Sequence, residues 1–490
     1  MTSPAIVWYR RDLRVHDHPA LHAALAAADE VIPVFVVDEP LLAGRYASAN
    51  RVWFMRESVA ELADALAERG AWLRVLRGRP ADVLPAFARD AGVRHVFATR
   101  DATPYGRRRD HSVAEQLAAA GIAFRASTGL YVHEPDALAN TAGRSFGVYG
   151  AFRRAWDAAP RRTVLPAPDR IPGLRGRASG ASVADPLPDL GGPTADPALI
   201  PAPGERAARE RLARWLGERT PDGAPGADSS APIDAYDATR DRLDLDATSR
   251  LSADLRWGLL SPIEVLDRAA GPGDGRRVFA AEVAWRDFYA HVLWHNARVV
   301  DEQYATAFAA LETRDAPGDF AAWAEGRTGY PVVDAAMRQL RATGFMPNRA
   351  RMITASFLAK HLLLDWRLGE AEFMRHLIDG DVPSNNGGWQ WTASTGTDPQ
   401  PYFRVFNPIL QGRKFDPEGA YVCRWVPELA GVPVRFVHDP WVMDAATQAA
   451  AGCRIGLDYP APIVDHADAR ARALAAYGAA RNSGEPTTTG

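Results

Sequence analysis

The first hundred residues alternate short, mostly apolar runs with longer amphipathic stretches. AIVWY (5–9), EVIPVFVVD (30–38), AWLRVLRG (71–78) and VRHVFATR (93–100) have strand length. An apolar run without polar alternation predicts a strand covered on both faces, the environment of a parallel sheet. Between the runs, NRVWFMRESVAELADALAERG (50–70) carries its apolar residues at helical spacing. Strands alternating with helices predict an α/β domain, with a parallel sheet and helices on both faces.

The pattern then changes twice. From about Pro160 to Pro203 the chain is rich in Pro, Gly and Ala with little periodicity, which predicts a long connection. RAARERLARWLGE (206–218) reads as a short amphipathic helix, and the Gly/Pro/Asp/Ser-rich stretch 221–231 as a loop. From about residue 250 the periodicity is mostly helical. PVVDAAMRQLRATG (331–344) ends on a glycine suited to a C-cap. NRARMITASFLAKHLLLDWRLG (348–369) predicts a long apolar helical run ending near Trp366, and GEAEFMRHLIDG (369–380) follows it. RNSGEPTTTG (481–490) predicts a disordered tail. The expected organisation is an α/β domain over 1–135, a connection over 136–205, a mostly helical domain over 206–480 and the tail.

Composition narrows the function classes. With 57 basic and 60 acidic residues the net charge of -3 carries no global nucleic-acid signal, although a local basic groove stays open. Two cysteines, Cys423 and Cys453, exclude a disulfide scaffold and a four-cysteine metal site and fit a reducing cytoplasm. The start lacks the apolar region of a signal peptide, and no run of 18 apolar residues predicts a membrane span. RRDLR (10–14) follows the first strand where a nicotinamide dehydrogenase would carry G-x-G-x-x-G. G-x-S-x-G and H-E-x-x-H are also absent, which weakens hydrolytic chemistry, and no metal site is expected. What the chain has is 14 tryptophans with many arginines and amides, a combination that suits a large planar ligand with polar edges.

Several clusters could hold one. TSRLS (248–252) is either an ordinary helix start with a surface arginine or an anion nest of hydroxyls, backbone N–H groups and Arg250, to which Tyr236 could add a phenol. On a helix, Glu282, Trp285, Arg286 and Tyr289 lie three or four apart, either as packing or as a cavity wall. NRARM (348–352) sets Asn348, Arg349, Arg351 and Met352 within about a turn, and its arginines could pair with Asp379 or Asp381. DGDVPSNNGGWQW (379–391) mixes carboxylates, amides, glycines and tryptophans in no regular period.

Together TSRLS, WRDFY, TGYPVVDAAMRQL (328–340), NRARMITASFL (348–358), DGDVPSNNGGWQW and TGTDPQPYFRVFNP (395–408) resemble the photolyase/cryptochrome family, with class I cyclobutane pyrimidine dimer photolyases the nearest pattern. The resemblance runs from IVWYRRDLRVHD (6–17) to about Tyr459. It implies an α/β antenna domain and a helical domain holding FAD, active when reduced, and light-driven repair of UV-damaged DNA. Tyr236, Thr248, Ser249, Arg250, Leu251 and Ser252 resemble the groups around the phosphates and ribityl chain. Arg351 and Asp379 resemble the pair beside the isoalloxazine, Asp381 the carboxylate at its N3 and O4 edge, and Asn385 the amide at N5. Glu282, Trp285, Asn348, Met352 and Trp391 resemble the lesion pocket, and Arg349, Arg404 and Lys414 are candidates for DNA phosphates.

Trp389 and Trp366 resemble the inner and middle members of a photoreduction chain. The outer position, 313, is threonine here, which leaves either Trp323, Tyr330 or another surface aromatic as the outer member or a slower photoreduction. The loop ATRDATPYGRRRD (98–110) has Thr103 where folate-binding relatives carry a glutamate. That favours an 8-hydroxy-5-deazaflavin antenna over 5,10-methenyltetrahydrofolate, lined by Arg51, Asp101, Tyr105 and Arg109. The alternative activity is a cryptochrome-type photoreceptor acting through a protein partner. Against it stand Asn385, where plant-type cryptochromes resemble an aspartate, and the dimer-pocket pattern of Trp285 and Met352. The absence of a histidine near Asn348 speaks against (6-4) repair. A flavin-binding protein without turnover would keep Arg351 and Asp381 and form no product in light. A monomer without an obligate protein partner is expected, in the cytoplasm and on the nucleoid when bound to DNA.

Overall fold

The computed structural model describes residues 3–173, 189–218 and 231–484. Five parallel strands form one sheet in the order β3-β2-β1-β4-β5: β1 Ala5–Tyr9, β2 Val31–Asp38, β3 Arg74–Gly78, β4 His95–Thr99 and β5 Ala123–Ser127. All residues of β1 and β2 are buried, as their unbroken apolar runs require. β5 (AFRAS) has no such run; it is an edge strand and tolerates Arg125 and Ser127. Strand order reverses at β1, which pairs with β2 on one side and β4 on the other. The carboxyl ends of β1 and β4 therefore form the crevice where α/β sheets carry their sites. Arg10, Arg11 and Asp12 leave β1 at that crevice.

The rest is mostly helical. One hydrophobic core runs from Val7, Tyr9 and Phe35 of the sheet through Phe152 and Trp156 of the connection to Trp257 and Phe288 of the helical part. A second core gathers Trp323, Trp366, Trp389 and their neighbours. The connection contains a helix, Tyr149–Ala158, whose Trp156 Nε1 donates to the buried Asp287 at 2.9 Å. Asp287 belongs to the 22-residue helix Asp274–His295 that carries Glu282 and Trp285. The helix Pro331–Thr343 stops at Gly344, whose φ of +66° is the left-handed C-cap expected there.

Three sequence expectations need correction. The run 348–369 is interrupted: a helix spans Asn348–Ser356, a π turn Phe357–His361, and a new helix Trp366–His376 starts from Asp365, whose side chain accepts from the Arg367 N–H. Trp366 thus opens a helix where periodicity placed the end of one. The last helix, His466–Gly484, continues past Arg481, where the tail was expected to begin; 485–490 lie outside the described residues. DGDVPSNNGGWQW, aperiodic as it looks, forms the helix Val382–Thr392. The loop expected at 221–231 lies almost wholly outside the described residues, as do positions 174–188 of the connection. No described helix is long and apolar enough to cross a membrane.

Candidate active site

A cavity of about 620 Å³ opens in the helical part. Tyr236 and the segment Thr248, Ser249, Arg250, Leu251 and Ser252 line it. Glu282, Trp285 and Tyr289 come from the Asp274–His295 helix, and Asn348, Arg349, Arg351 and Met352 from the next wall. Asp379, Asp381, Asn385, Trp389 and Trp391 supply the remainder. Residues scattered over more than 150 positions thus face one space. Arg250 sits at φ +51°. A left-handed non-glycine residue is held there by its surroundings, here an ion pair to Asp246 at 2.8 Å and the Phe345 ring 5.0 Å away.

Charge concentrates on one flank. Arg351 Nη2 donates to Asp379 at 2.7 Å, and its Nε to the Met346 carbonyl at 2.8 Å. Asp381 accepts from Arg11 and has Arg256 at 3.9 Å. Arg256 also donates to the Gly380 carbonyl at 2.9 Å. Arg11 and Arg256 were not singled out in the sequence. The only available signal was the arginine pair after β1, standing where a phosphate-binding glycine loop would otherwise be. Asp379 Oδ1, Asp381 Oδ2 and Arg256 Nη1 are buried and find no partner among the described residues. Buried polar atoms are normally paired, so three orphans on one cavity flank mark a place for polar ligand edges.

Arg51, expected at an antenna site, braces this flank. Its guanidinium donates to the Leu377 carbonyl at 2.8 Å and to those of Met374 and Tyr46. A Cβ on Gly380 would come within 2.4 Å of it, so the chain needs glycine there for the arginine to fit. Asp101, Tyr105 and Arg109 do converge, at the sheet's switch point. Arg109 reaches Asp110 at 2.9 Å and Asp101 at 3.4 Å, and the Tyr105 hydroxyl donates to Asp38 at 2.8 Å. Burial alone would raise the Asp101 carboxyl, but Arg11 and Arg109 hold it well below the usual carboxylate range. Arg11 therefore spans from this cluster, 3.8 Å from Asp101, to Asp381 in the cavity.

Asn385 is buried, and its amide N donates to the Glu370 carbonyl and to Glu370 Oε1, both at 3.1 Å. With both amide protons so directed, its Oδ1 is left as the free end. Glu370, missed in the sequence, is fully buried, and burial pushes its carboxyl up to about 6 despite the Asn385 hydrogen bond. The sign follows by linkage. Below the ordinary value of 4.5 the acid is neutral in both folded and unfolded chains; above about 6 the folded state must hold a buried charge, so stability falls as pH rises between them. Glu370→Gln is expected to raise stability by up to about 2 kcal/mol at pH 8, a gain that shrinks toward pH 5. Paired urea titrations check it; a gain that does not vary with pH would count against the buried-charge account.

The tryptophans divide by helix geometry. Residues 389 and 391 are two apart, so about 200° separates them around the helix axis. Trp389 is turned inward, 2% exposed, against Phe373 at 4.9 Å; Trp391 is half-buried on the cavity wall. Trp366 is buried beneath Arg367, 5.0 Å from its ring. The expectation of Trp323 or Tyr330 as a surface outer member is corrected. Both are buried, Trp323 completely, its Nε1 donating to the Thr354 carbonyl at 3.0 Å. Trp323 meets Trp389 edge to face, with ring centroids 6.0 Å apart and planes at 72°.

Other residues of the opening motif have structural tasks. Asn386 and Gln390 donate to the Val299 carbonyl at 2.9 and 3.0 Å, holding the segment beside the helix. Gly387 lets that helix approach the Tyr289 ring, which a Cβ would meet at 2.1 Å; Gly388 faces open cavity. At the rim, Glu282 accepts from Arg240, and Asn348 lies 3.8 Å from the Met352 sulfur. Arg349 is tied to Asp241 at 2.6 Å and covers the Phe415 ring. Arg404 and Lys414 are exposed and outside the cavity lining.

Comparison with known proteins places this geometry. Residues 5–170 match the family described as DNA photolyase, and 279–479 the FAD binding domain of DNA photolyase. The deoxyribodipyrimidine photo-lyase of Agrobacterium fabrum is 37% identical over 98% of this chain and 99% of its own. A bacterial class III photolyase from Agrobacterium tumefaciens superposes with a TM-score of 0.89 at 35% identity, covering 98% of each chain. The cryptochrome of Synechocystis superposes at 0.86 and 28% identity, covering 97% of this chain and 99% of that one. The cavity's own residues fit FAD: unpaired buried carboxylate oxygens beside arginines for its polar edges, open space over Gly388, and hydroxyls at 248–252 for its phosphates. With both halves matched and the likeness running the length of the chain, this protein belongs to the DNA photolyase/cryptochrome family.

Proposed function

We propose that the protein is a light-driven lyase that splits cyclobutane pyrimidine dimers in DNA. The observation that carries this reading is one cavity with two kinds of wall. Arg351, Asp379, Asp381 and Asn385 offer polar groups to it, and Trp285 and Trp391 offer flat aromatic surface. A dimer stacks and pairs poorly in duplex DNA, so extruding it costs less than extruding a normal base. Trp285 and Trp391 would receive its apolar rings, and Glu282, held by Arg240, would accept a hydrogen bond at their rim. Reduced FAD, when bound, supplies the photoexcited electron that opens the cyclobutane ring and takes it back afterwards. Asn385 would present its oxygen at N5 while Glu370 holds its amide nitrogen. With a dimer seated, the walls would keep water from the short-lived charge. Arg404 and Lys414 would meet backbone phosphates, giving salt-dependent binding.

The test is dimer content in a UV-irradiated thymine oligonucleotide incubated with the reduced protein. Dimers should disappear in blue light and persist in darkness; no light-dependent loss overturns the reading. The likeness to a cryptochrome favours a second reading, photoreception through a protein partner. It gains ground if the flavin responds to light while dimers persist. For the antenna we propose 8-hydroxy-5-deazaflavin, with 5,10-methenyltetrahydrofolate the alternative; chromatography of chromophores released from the purified protein distinguishes them. The proposed working form is a cytoplasmic monomer.

A further inference from the structure

Trp285 has its own support, and it comes from the connection between the domains. The Tyr149 ring lies flat on Trp285, with centroids 3.7 Å apart and planes 7° from parallel. No third ring fits between them, so this face of Trp285 is closed and its cavity contact is made elsewhere on the indole. Tyr149 itself does not line the cavity. It is fixed at three points. Its hydroxyl donates to the Ala281 carbonyl at 2.8 Å, directly before Glu282. Its N–H donates to Asp398 at 3.0 Å, and two residues earlier the Gly147 carbonyl accepts from Thr397 at 2.5 Å. Behind it, Phe152 contacts Phe288 at 5.3 Å and Trp156 binds Asp287. Positions 149, 152 and 156 thus form one helical stripe against the helix that bears Trp285.

We propose that Tyr149 is a positioning residue for damaged-DNA recognition, a plate that holds the Trp285 ring at the angle the lesion requires and ties it to the 395–398 loop. This rests on the dimer-repair reading above. Centroids only 3.7 Å apart leave the rings almost directly face to face, an arrangement that aromatic quadrupoles do not themselves favour, so it is the anchors of Tyr149 that hold it; a flat ring held there blocks tilting of the indole in a way that a leucine does not reproduce. A residue that served only to fill space could be replaced by leucine without consequence for recognition.

The experiment measures dark binding of the flavin-loaded protein to a thymine-dimer oligonucleotide and to its undamaged counterpart. Tyr149→Leu should weaken dimer binding about three- to tenfold, leaving undamaged binding unchanged, and Tyr149→Phe, which keeps the ring and loses only the Ala281 hydrogen bond, should recover most of that loss. In a Trp285→Ala background, Tyr149→Leu should add nothing, because the two act through one ring. The inference is overturned if Tyr149→Leu binds the dimer like the parent, if both DNAs are weakened equally, or if its effect persists without Trp285. If the parent itself fails to prefer the dimer, the repair reading fails instead, and the two failures are told apart by that control.

Discussion

Replacing Arg351 with leucine is expected to strip the protein of its flavin and to destabilise the helical part. Arg351 is the cation hydrogen-bonded to Asp379, at 2.7 Å, and the Asp379 side chain is only 4% exposed. Its second oxygen already lacks a partner among the described residues. Removing one member of a buried pair leaves an uncompensated charge, which costs more than the pair itself contributes. Because Arg351 is about a quarter exposed, we set the loss near 2–3 kcal/mol, below the value for a fully buried pair. The double variant Arg351→Leu/Asp379→Leu removes both charges and should recover most of that loss. It should not recover the flavin, since the polar edge is gone. Urea unfolding and the flavin-to-protein absorbance ratio read the two effects separately. A single variant that retains full flavin would show that this pair is not part of the cofactor site.

The same flank shows what a sequence can and cannot disclose. Asp379, Asp381, Asn385 and the two tryptophans were visible as chemistry because unlike residues crowd into one short stretch. Their partners were not. Arg11 lies 370 positions from Asp381 and Glu370 lies 15 from Asn385, and only folding sets the pairs together. The sheet was legible because buried parallel strands are apolar at nearly every position; edge strand β5 was not, since its outer side needs no apolar residues. The helix Val382–Thr392 was hidden because its polar residues are buried and satisfied: Asn386 and Gln390 face the Val299 carbonyl, not solvent. Trp323 misled for a related reason. It stands among the candidates for a surface aromatic, yet the indole is enclosed against Phe373 and Trp389. Tyr149 could have been found, because YGAFRRAW spaces its aromatics three and four apart, but it lies in a segment that read as a connection.

Lys360 carries the other large effect, and it was invisible for the same reason as the buried amides. The π turn at 357–361 interrupts the helical run and turns Lys360 fully inward. Its ammonium donates to Ser394 Oγ and to the Arg404 carbonyl, each at 3.0 Å, so it holds both ends of the loop that includes Asp398, the partner of Tyr149. Burial, with Arg404 nearby, lowers its pKa from 10.5 to about 7. The neutral amine is therefore favoured in the fold, and the unfolded chain binds more protons between those values. Stability should rise with pH from about 7 toward 10.5, by an amount on the order of 3–5 kcal/mol. Lys360→Met removes this dependence. The variant should gain on the parent near pH 6, where the parent buries a charge, and lose that advantage by pH 10. It should still loosen the 394–404 loop, because two hydrogen bonds vanish at every pH. Urea titrations of both proteins across that range measure the first effect, and protease cleavage within the loop measures the second. Parallel pH curves for parent and variant would mean that burial does not perturb the titration of Lys360, and would overturn the buried-charge account.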